Sequence, residues 1–326
     1  MAILVTGSAG FIGFHVARAL LDRGETVVGV DNLNDYYEVS LKEARLAQLQ
    51  ALDRFEFRKL DIADAAAVDG LFDAYSEIDR IIQLAAQAGV RYSLINPAAY
   101  VHSNLIGHFN IMEAARAREN IMHLVFASSS SVYAGLTNPP FKITDATDTP
   151  ISLYAATKKS GEAVCHSYAH LFDIPTTSLR FFTVYGPWGR PDMAAQIFPG
   201  KIVKGEPIDV FNNGDMRRDF TFIDDIVAGV VSALDRPPSR TEGKAPYAVY
   251  NLGNNRAENL MDFIKAIEDE LGRKAEINFL PMQPGDVSET WADIDSTRRD
   301  LGYDPATPIS EGVPKLIAWF REYYGV

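Results

Sequence analysis

Along the first half of the chain, short apolar runs alternate with longer segments in which apolar residues recur every three or four positions. The runs fall at 2–5, 26–30, 55–60, 79–84, 122–127 and 175–182, and the periodic segments near 11–22, 64–74, 97–118 and 152–171. Short runs fit strands buried on both faces, and the longer segments fit the helices that cover them. Such alternation predicts an α/β fold, a doubly wound parallel sheet with right-handed crossovers. Beyond residue 183 the pattern loosens, with Gly and Pro gathered at Gly186-Pro187-Trp188-Gly189-Arg190-Pro191 and again at 281–285. We expect a first domain over 1–182 and, over 183–326, mainly a smaller mixed α/β lobe for the substrate, some segments of which can return to the first domain.

Composition narrows the class. The chain has 326 residues, 47% of them hydrophobic, enough for one large or two modest cores. A formal net charge of -12 leaves no global basic field for nucleic acid or an anionic membrane, so an anionic ligand must meet a local arginine cluster. Cys165 stands alone within a helical pattern, which excludes an internal disulfide framework and reads as a buried, inert thiol in a reducing compartment. The sequence enters its first strand with no basic leader, and no apolar run approaches ~18 residues, so a cytoplasmic location without membrane contact is expected. The six histidines show no metal-ligand spacing, and no metal is expected.

The candidate chemistry begins at Thr6-Gly7-Ser8-Ala9-Gly10-Phe11-Ile12-Gly13, a glycine-spaced turn between the first strand and the first helix. Such a turn brings backbone N–H groups and a helix N-terminus to a pyrophosphate, the Rossmann arrangement. Asp31, closing the second run, would accept hydrogen bonds from both ribose hydroxyls of NAD and repel the 2'-phosphate of NADP. NAD is therefore the expected cofactor. Ligands of doubly wound sheets lie at the carboxyl ends of the strands, which selects Asp31-Asn32, Asp61-Ile62, Leu84-Ala85-Ala86-Gln87, the serines at 128–131 and Phe182-Thr183. Tyr154 and Lys158, four apart in a helical pattern, share one face. An ammonium beside a phenol favours the phenolate, and such a tyrosine can act as a general base.

In these ordered motifs the chain resembles the extended short-chain dehydrogenase/reductases, and among them the NAD-dependent nucleotide-sugar epimerases. The resemblance covers nearly the whole chain and includes Gly7, Gly10, Gly13, Asp31, Asp61-Ile62, Leu84-Ala85-Ala86, Asn104, the serine run, Tyr154 with Lys158, and Arg218-Asp219-Phe220. Asp31-Asn32-Leu33-Asn34-Asp35-Tyr36-Tyr37, the segment from Arg180 to Met193, and Gly285-Asp286-Val287 look most like the members that epimerise UDP-glucuronate at C4. The resemblance implies that Ser129 joins Tyr154 and Lys158 in catalysis and that Asn104 belongs to the cofactor site. It further implies that Val210-Phe211 lie beside the uracil, Arg218 meets phosphate and Asp286 holds the ribose. It also implies a homodimer paired through the helices near 97–118 and 152–171, with Ile106, Phe109, Met112, Val164, Tyr168 and Leu171 on the shared face.

Departures from relatives bear on the reaction. Related dehydratases and decarboxylases usually carry an acidic residue at or beside the place of Ser131, and Ser131-Val132-Tyr133 has none. UDP-galactose epimerases have an asparagine at the place of Thr183 and an arginine at that of Gln283, so the diphosphate would lean on Arg217, Arg218 and Arg91. Oxidation at C4 of a glucuronate makes a β-keto acid liable to lose carbon dioxide. Ser130, Ser131 and Thr183 could hold its carboxylate by hydroxyl donors and Arg190 by charge. A decarboxylase or dehydratase of the same family is the competing reading. A non-enzymatic NAD sensor would be expected to lack Tyr154 or Lys158, and both are present.

Overall fold

The structure, a computed structural model, describes residues 1–282 and 288–326. Seven strands form one parallel sheet: β1 Ala2–Thr6, β2 Val27–Asp31, β3 Phe55–Lys59, β4 Ile78–Gln83, β5 His123–Ser129, β6 Thr176–Phe181 and β7 Tyr247–Leu252. Across the sheet they run β7-β6-β5-β4-β1-β2-β3, every pair parallel. The winding reverses between β1 and β4, so a crevice opens at their carboxyl ends, where such sheets take ligands. Central strands β1 and β5 are buried along their whole length, as continuous apolar runs require, whereas edge strand β3 is half exposed.

The helices follow the periodic segments. Phe11–Asp22 starts at the glycine turn, and Ala65–Ala74 is capped by Asp64, whose side chain accepts from Ala67 N–H. The segment near 97–118 comprises Pro97–Tyr100, a wider π-helical stretch Val101–Ile106 and Gly107–Arg116, with Asn96 capping the start and Pro97 in the first turn. Leu153–Phe172 is capped by Ser152. A further helix, Val39–Gln50, has no clear apolar period because two of its inward positions are the buried cations Lys42 and Arg45.

Several pieces of the second half lie with the first domain. β7 extends the sheet beyond β6, and helix Ile223–Leu234 packs on helix Phe11–Asp22, joining the core that contains Phe14, Val16 and Leu20. Helix Asp295–Leu301 is another, and its Leu301 joins that core with Ile294 and Tyr303. The remaining second half has its own core, in which helices Ala194–Lys204, Leu260–Leu271 and Ile309–Tyr324 enclose Phe220 and Phe263, stacked 4.2 Å apart. Among the described residues no helix is long and apolar enough to cross a membrane.

The outer faces of the 101–116 and 153–172 helices divide the apolar positions named above. Ile106, Phe109 and Leu171 are exposed, and Val101 and Phe172 extend the band. Met112 instead lies fully in the core with Ile111 and Cys165, and Val164 and Tyr168 pack against that core, so these three are drawn inward by the sheet. Cys165 is buried, and burial raises its thiol well above the ordinary range, which leaves it unreactive.

Candidate active site

One cavity of about 390 Å³ runs along the carboxyl ends of the strands. Its floor is the glycine turn. Gly7 adopts φ +74°, and a Cβ there would lie 2.8 Å from Ala85 N; a Cβ on Gly13 would lie 2.0 Å from the Gly7 carbonyl. Only glycine at both positions lets β1, the turn and the following helix close this tightly, so the helix N-terminus faces the cavity. Phe11 and Ile12 line it too. Asp31 ends β2, where its carboxylate accepts from Ala9 N–H at 3.2 Å and Leu33 N–H at 2.8 Å. Burial raises its pKa while those amides and Lys42 oppose the rise. Asp61 accepts from Asn32 at 3.2 Å and Ala63 N–H at 2.9 Å, next to Ile62 in the lining. With Leu84, Ala85, Ala86 and Gln87 beyond β4 and Phe182 beyond β6, these groups fit a dinucleotide: a glycine cradle for pyrophosphate and a carboxylate for a ribose.

Asn104 takes another place. It is buried outside the cavity lining; its Oδ1 accepts from Gln87 N–H at 2.8 Å, and its Nδ2 donates to the Gln87 carbonyl and to Thr157 Oγ1, each at 3.0 Å. The amide is spent on joining the loop after β4 to the helix that carries Tyr154, so it shapes the site without facing a ligand.

At the β5 and β6 end the lining holds Ser129, Ser130, Ser131, Tyr154, Lys158, Thr183 and Arg190. Ser129 Oγ accepts from Ser131 N–H at 3.2 Å, which turns the chain at the strand end and presents three hydroxyls in succession. Ser128 faces the other way and donates to Glu162, a buried carboxylate that also receives Arg180 Nε and Nη2, each at 2.7 Å. That buried ion pair anchors the helix of Tyr154 to β5 and β6. The helical spacing predicts Lys158 as the cation that lowers Tyr154, and here the structure differs. Lys158 Nζ donates to the Ala127 carbonyl at 2.8 Å and lies 6.0 Å from the Tyr154 ring centre. Burial raises the Tyr154 pKa, and the groups that pull it down are the Ser129 hydrogen bond and the charge of Arg190. Burial also pushes Lys158 down to about 8.

Arg190 is itself held. Its Nε and Nη2 bind Asp192 at 3.0 and 2.5 Å, and the Tyr36 hydroxyl donates to the same carboxylate at 3.0 Å. The segment bearing Arg190 is tied to the glycine turn by fully buried Arg45, which donates to the carbonyls of Ala9, Trp188 and Gly189. Tyr36, Tyr37 and Lys42 line the cavity as well, and strand-end reasoning misses them because they sit on a loop and on the helix without a clear period. The sequence signal for Tyr36 and Tyr37, though not for Lys42, is the Asp31-Asn32-Leu33-Asn34-Asp35-Tyr36-Tyr37 string.

The remaining expected substrate residues lie away from this lining. Val210 is completely buried in the second core, where strand Ile208–Val210 pairs with Ile277–Phe279, so its side chain faces that core instead of a base. Phe211 is half-buried, with the Arg91 guanidinium 4.5 Å over its ring. Arg217 pairs with Glu289 at 3.0 Å, and Arg218 donates to the carbonyls of Arg217 and Ser288. Asp219, between Arg218 and Phe220, is a buried knot that accepts from Asn254, Asn255 and Ala292 N–H and from Thr221; burial raises it to about 6. Gln283 and Asp286 lie outside the described residues.

Comparison with known proteins agrees with this geometry. Residues 3–253 match the NAD dependent epimerase/dehydratase family. Protein CapI of Staphylococcus aureus is 48% identical, with 99% of each chain covered. A probable UDP-glucuronate 4-epimerase of Rhizobium meliloti is 47% identical over 99% of this chain and 98% of its own length. The UDP-glucuronic acid 4-epimerase of Bacillus cereus, solved with UDP-glucuronic acid and NAD, superposes with a TM-score of 0.91 at 35% identity, covering 99% of this chain and all of that one (100%). A glycine cradle, an acidic strand end and a Ser-Tyr-Lys set in one cavity thus sit in a chain that belongs to the NAD dependent epimerase/dehydratase family.

Proposed function

We propose that this protein is a UDP-glucuronate 4-epimerase, interconverting UDP-glucuronate and UDP-galacturonate with tightly held NAD. One observation carries the reading. Tyr154, Ser129, the hydroxyls of Ser130, Ser131 and Thr183, and Arg190 line the same cavity as the glycine turn, and the two lining carboxylates, Asp31 and Asp61, follow β2 and β3 at the opposite side of the sheet. Tyr154 and Ser129 are set to take and return the proton of a sugar hydroxyl, and among the described lining residues no acid stands beside them to drive water out.

When bound, NAD accepts the C4 hydride and gives it back, so no second substrate is consumed. Tyr154, sharing its hydrogen bond with Ser129, removes the O4 proton as the alcohol becomes a ketone, and returns it once the sugar has turned its other face. Ser129, by its hydrogen bond, and Arg190, by its charge, favour the phenolate. The ketone is a β-keto acid, and Ser130, Ser131, Thr183 and Arg190 hold its carboxylate by donors away from the orientation that breaks the C–C bond. Arg217, Arg218 and Phe211, with Asp286, are the groups we assign to the nucleotide end. The exposed band of Val101, Ile106, Phe109, Leu171 and Phe172 supports a homodimer through these two helices. Light scattering showing only monomer at micromolar concentration would reject it.

Incubation with UDP-glucuronate followed by chromatography tests the activity. UDP-galacturonate should accumulate with no net formation of NADH. A UDP-pentose as the main product would replace this reading with the decarboxylase, and no conversion would overturn both.

A further inference from the structure

The structure assigns Asp192 a part in turnover: we propose that it is a positioning residue that weakens the grip of Arg190 on a sugar carboxylate so that the ring can turn. This inference rests on the reading proposed above. Asp192 takes the Nε and Nη2 donors of Arg190 in a two-point grip, at 3.0 and 2.5 Å. That side edge is one of the two-point faces a guanidinium offers a carboxylate, so a substrate acid is left the end edge of Nη1 and Nη2. Asp192 is bound through Nε and Nη2, and Arg190 lines the cavity. A ligand carboxylate therefore meets a cation whose charge is already opposed.

The grip is built from two separate loops. Tyr36, from the loop after β2, donates its hydroxyl to Asp192 at 3.0 Å, and its ring packs 4.6 Å from Tyr92. Burial and the neighbouring Asp192 push the Tyr36 hydroxyl up to about 12, so it remains a donor at any working pH. Arg190 also lies near the cation Lys42 and the Tyr154 phenol. Without Asp192, Arg190 would lose the carboxylate that opposes its charge.

The chemistry explains why a weakened cation suits this reaction. Epimerisation presents both faces of one ring to one hydride position, so the C5 carboxylate must leave its contacts and remake them within each cycle. A full-strength ion pair would stabilise the starting complex as much as any later state, and binding of that kind lowers KM without raising kcat. It would also oppose the turn itself.

Asp192→Asn keeps the size and removes the charge. We expect the variant to bind UDP-glucuronate about tenfold more tightly, to bind UDP-glucose, which lacks the carboxylate, within about twofold of the parent, and to lose about tenfold or more in kcat. Asp192→Glu, which restores the charge, should recover most of the turnover. Calorimetry with both nucleotide sugars, beside steady-state rates, reads each quantity. UDP-glucuronate bound no more tightly than by the parent, or both sugars shifted equally, would overturn the proposal and leave the epimerase reading intact. A parent that binds UDP-glucuronate without converting it would instead overturn the epimerase reading, and the ratio of the two affinities in Asp192→Asn would still decide the role of Asp192.

Discussion

Replacing Lys158 by methionine should make the protein more stable at neutral pH while removing its activity. Lys158 is almost wholly buried, and burial lowers its pKa from 10.5 to about 8. At about 1.4 kcal/mol per pH unit, that fall corresponds to roughly 3 kcal/mol of destabilisation whenever the side chain is charged. Below pH 8 both the folded and the unfolded chain bind the proton and the penalty is complete. Between about 8 and 10.5 the unfolded chain keeps the proton that the folded chain has lost, so stability rises with pH; above 10.5 the penalty is gone. Methionine has a similar shape and no charge. It leaves the Ala127 carbonyl without its 2.8 Å donor, a loss of about 1 kcal/mol. The variant should therefore gain about 2 kcal/mol at pH 7, roughly 4 °C in melting temperature, and this gain should shrink steadily as pH approaches 10. Thermal unfolding of both proteins in excess NAD between pH 7 and 10 measures it, since weaker NAD binding by the variant offsets the difference without bending it over this range. A difference between variant and parent that stays flat across that range would refute the account of Lys158 as a strained buried cation.

Three other outcomes are expected. Tyr154→Phe keeps the ring and removes the proton acceptor, so turnover of UDP-glucuronate should fall by roughly 10²-fold or more with an unchanged melting temperature; near-native turnover would remove Tyr154 from the mechanism. Asp31→Ala should weaken NAD and narrow the preference over NADP, and a titration showing the same selectivity as the parent would dissociate Asp31 from the ribose. Arg190→Ala should turn over more slowly and release a larger share of UDP-pentose. One charge-assisted contact on a partly neutralised guanidinium suggests a change of about tenfold in the pentose to galacturonate ratio, and an equal ratio would leave the carboxylate to Ser130, Ser131 and Thr183.

Much of the fold was legible in the sequence because the central strands of the first half, such as β1 and β5, are buried on both faces and so read as apolar runs. Glycine spacing was equally plain, since a Cβ at Gly13 would lie 2.0 Å from a carbonyl and no other residue can stand there. The strand-end rule likewise found Asp31, Asp61, the serines and Thr183, because sheet topology alone brings those positions to one edge.

Where tertiary contacts override local pattern, the chain was silent. Helix Val39–Gln50 turns Lys42 and Arg45 inward, Lys42 onto Asn34 and Arg45 onto the distant carbonyls of Ala9, Trp188 and Gly189, so no amphipathic period marks it. β7 joins the sheet from beyond residue 246, a pairing that no short-range periodicity encodes. Asn104 sits among the cofactor motifs, yet its amide is consumed by Gln87 and Thr157; Met112, expected on the dimer face, and Val210, expected beside the uracil, are core. Spacing placed Lys158 beside Tyr154, but only the packed site decides that Ala127 holds the ammonium and that Arg190, restrained by Asp192, supplies the charge felt at the phenol. Local sequence determines which backbone can form at each step of the chain. Electrostatics depends on distances between groups many residues apart, and those exist only once the sheet, its loops and the second core have closed on one another.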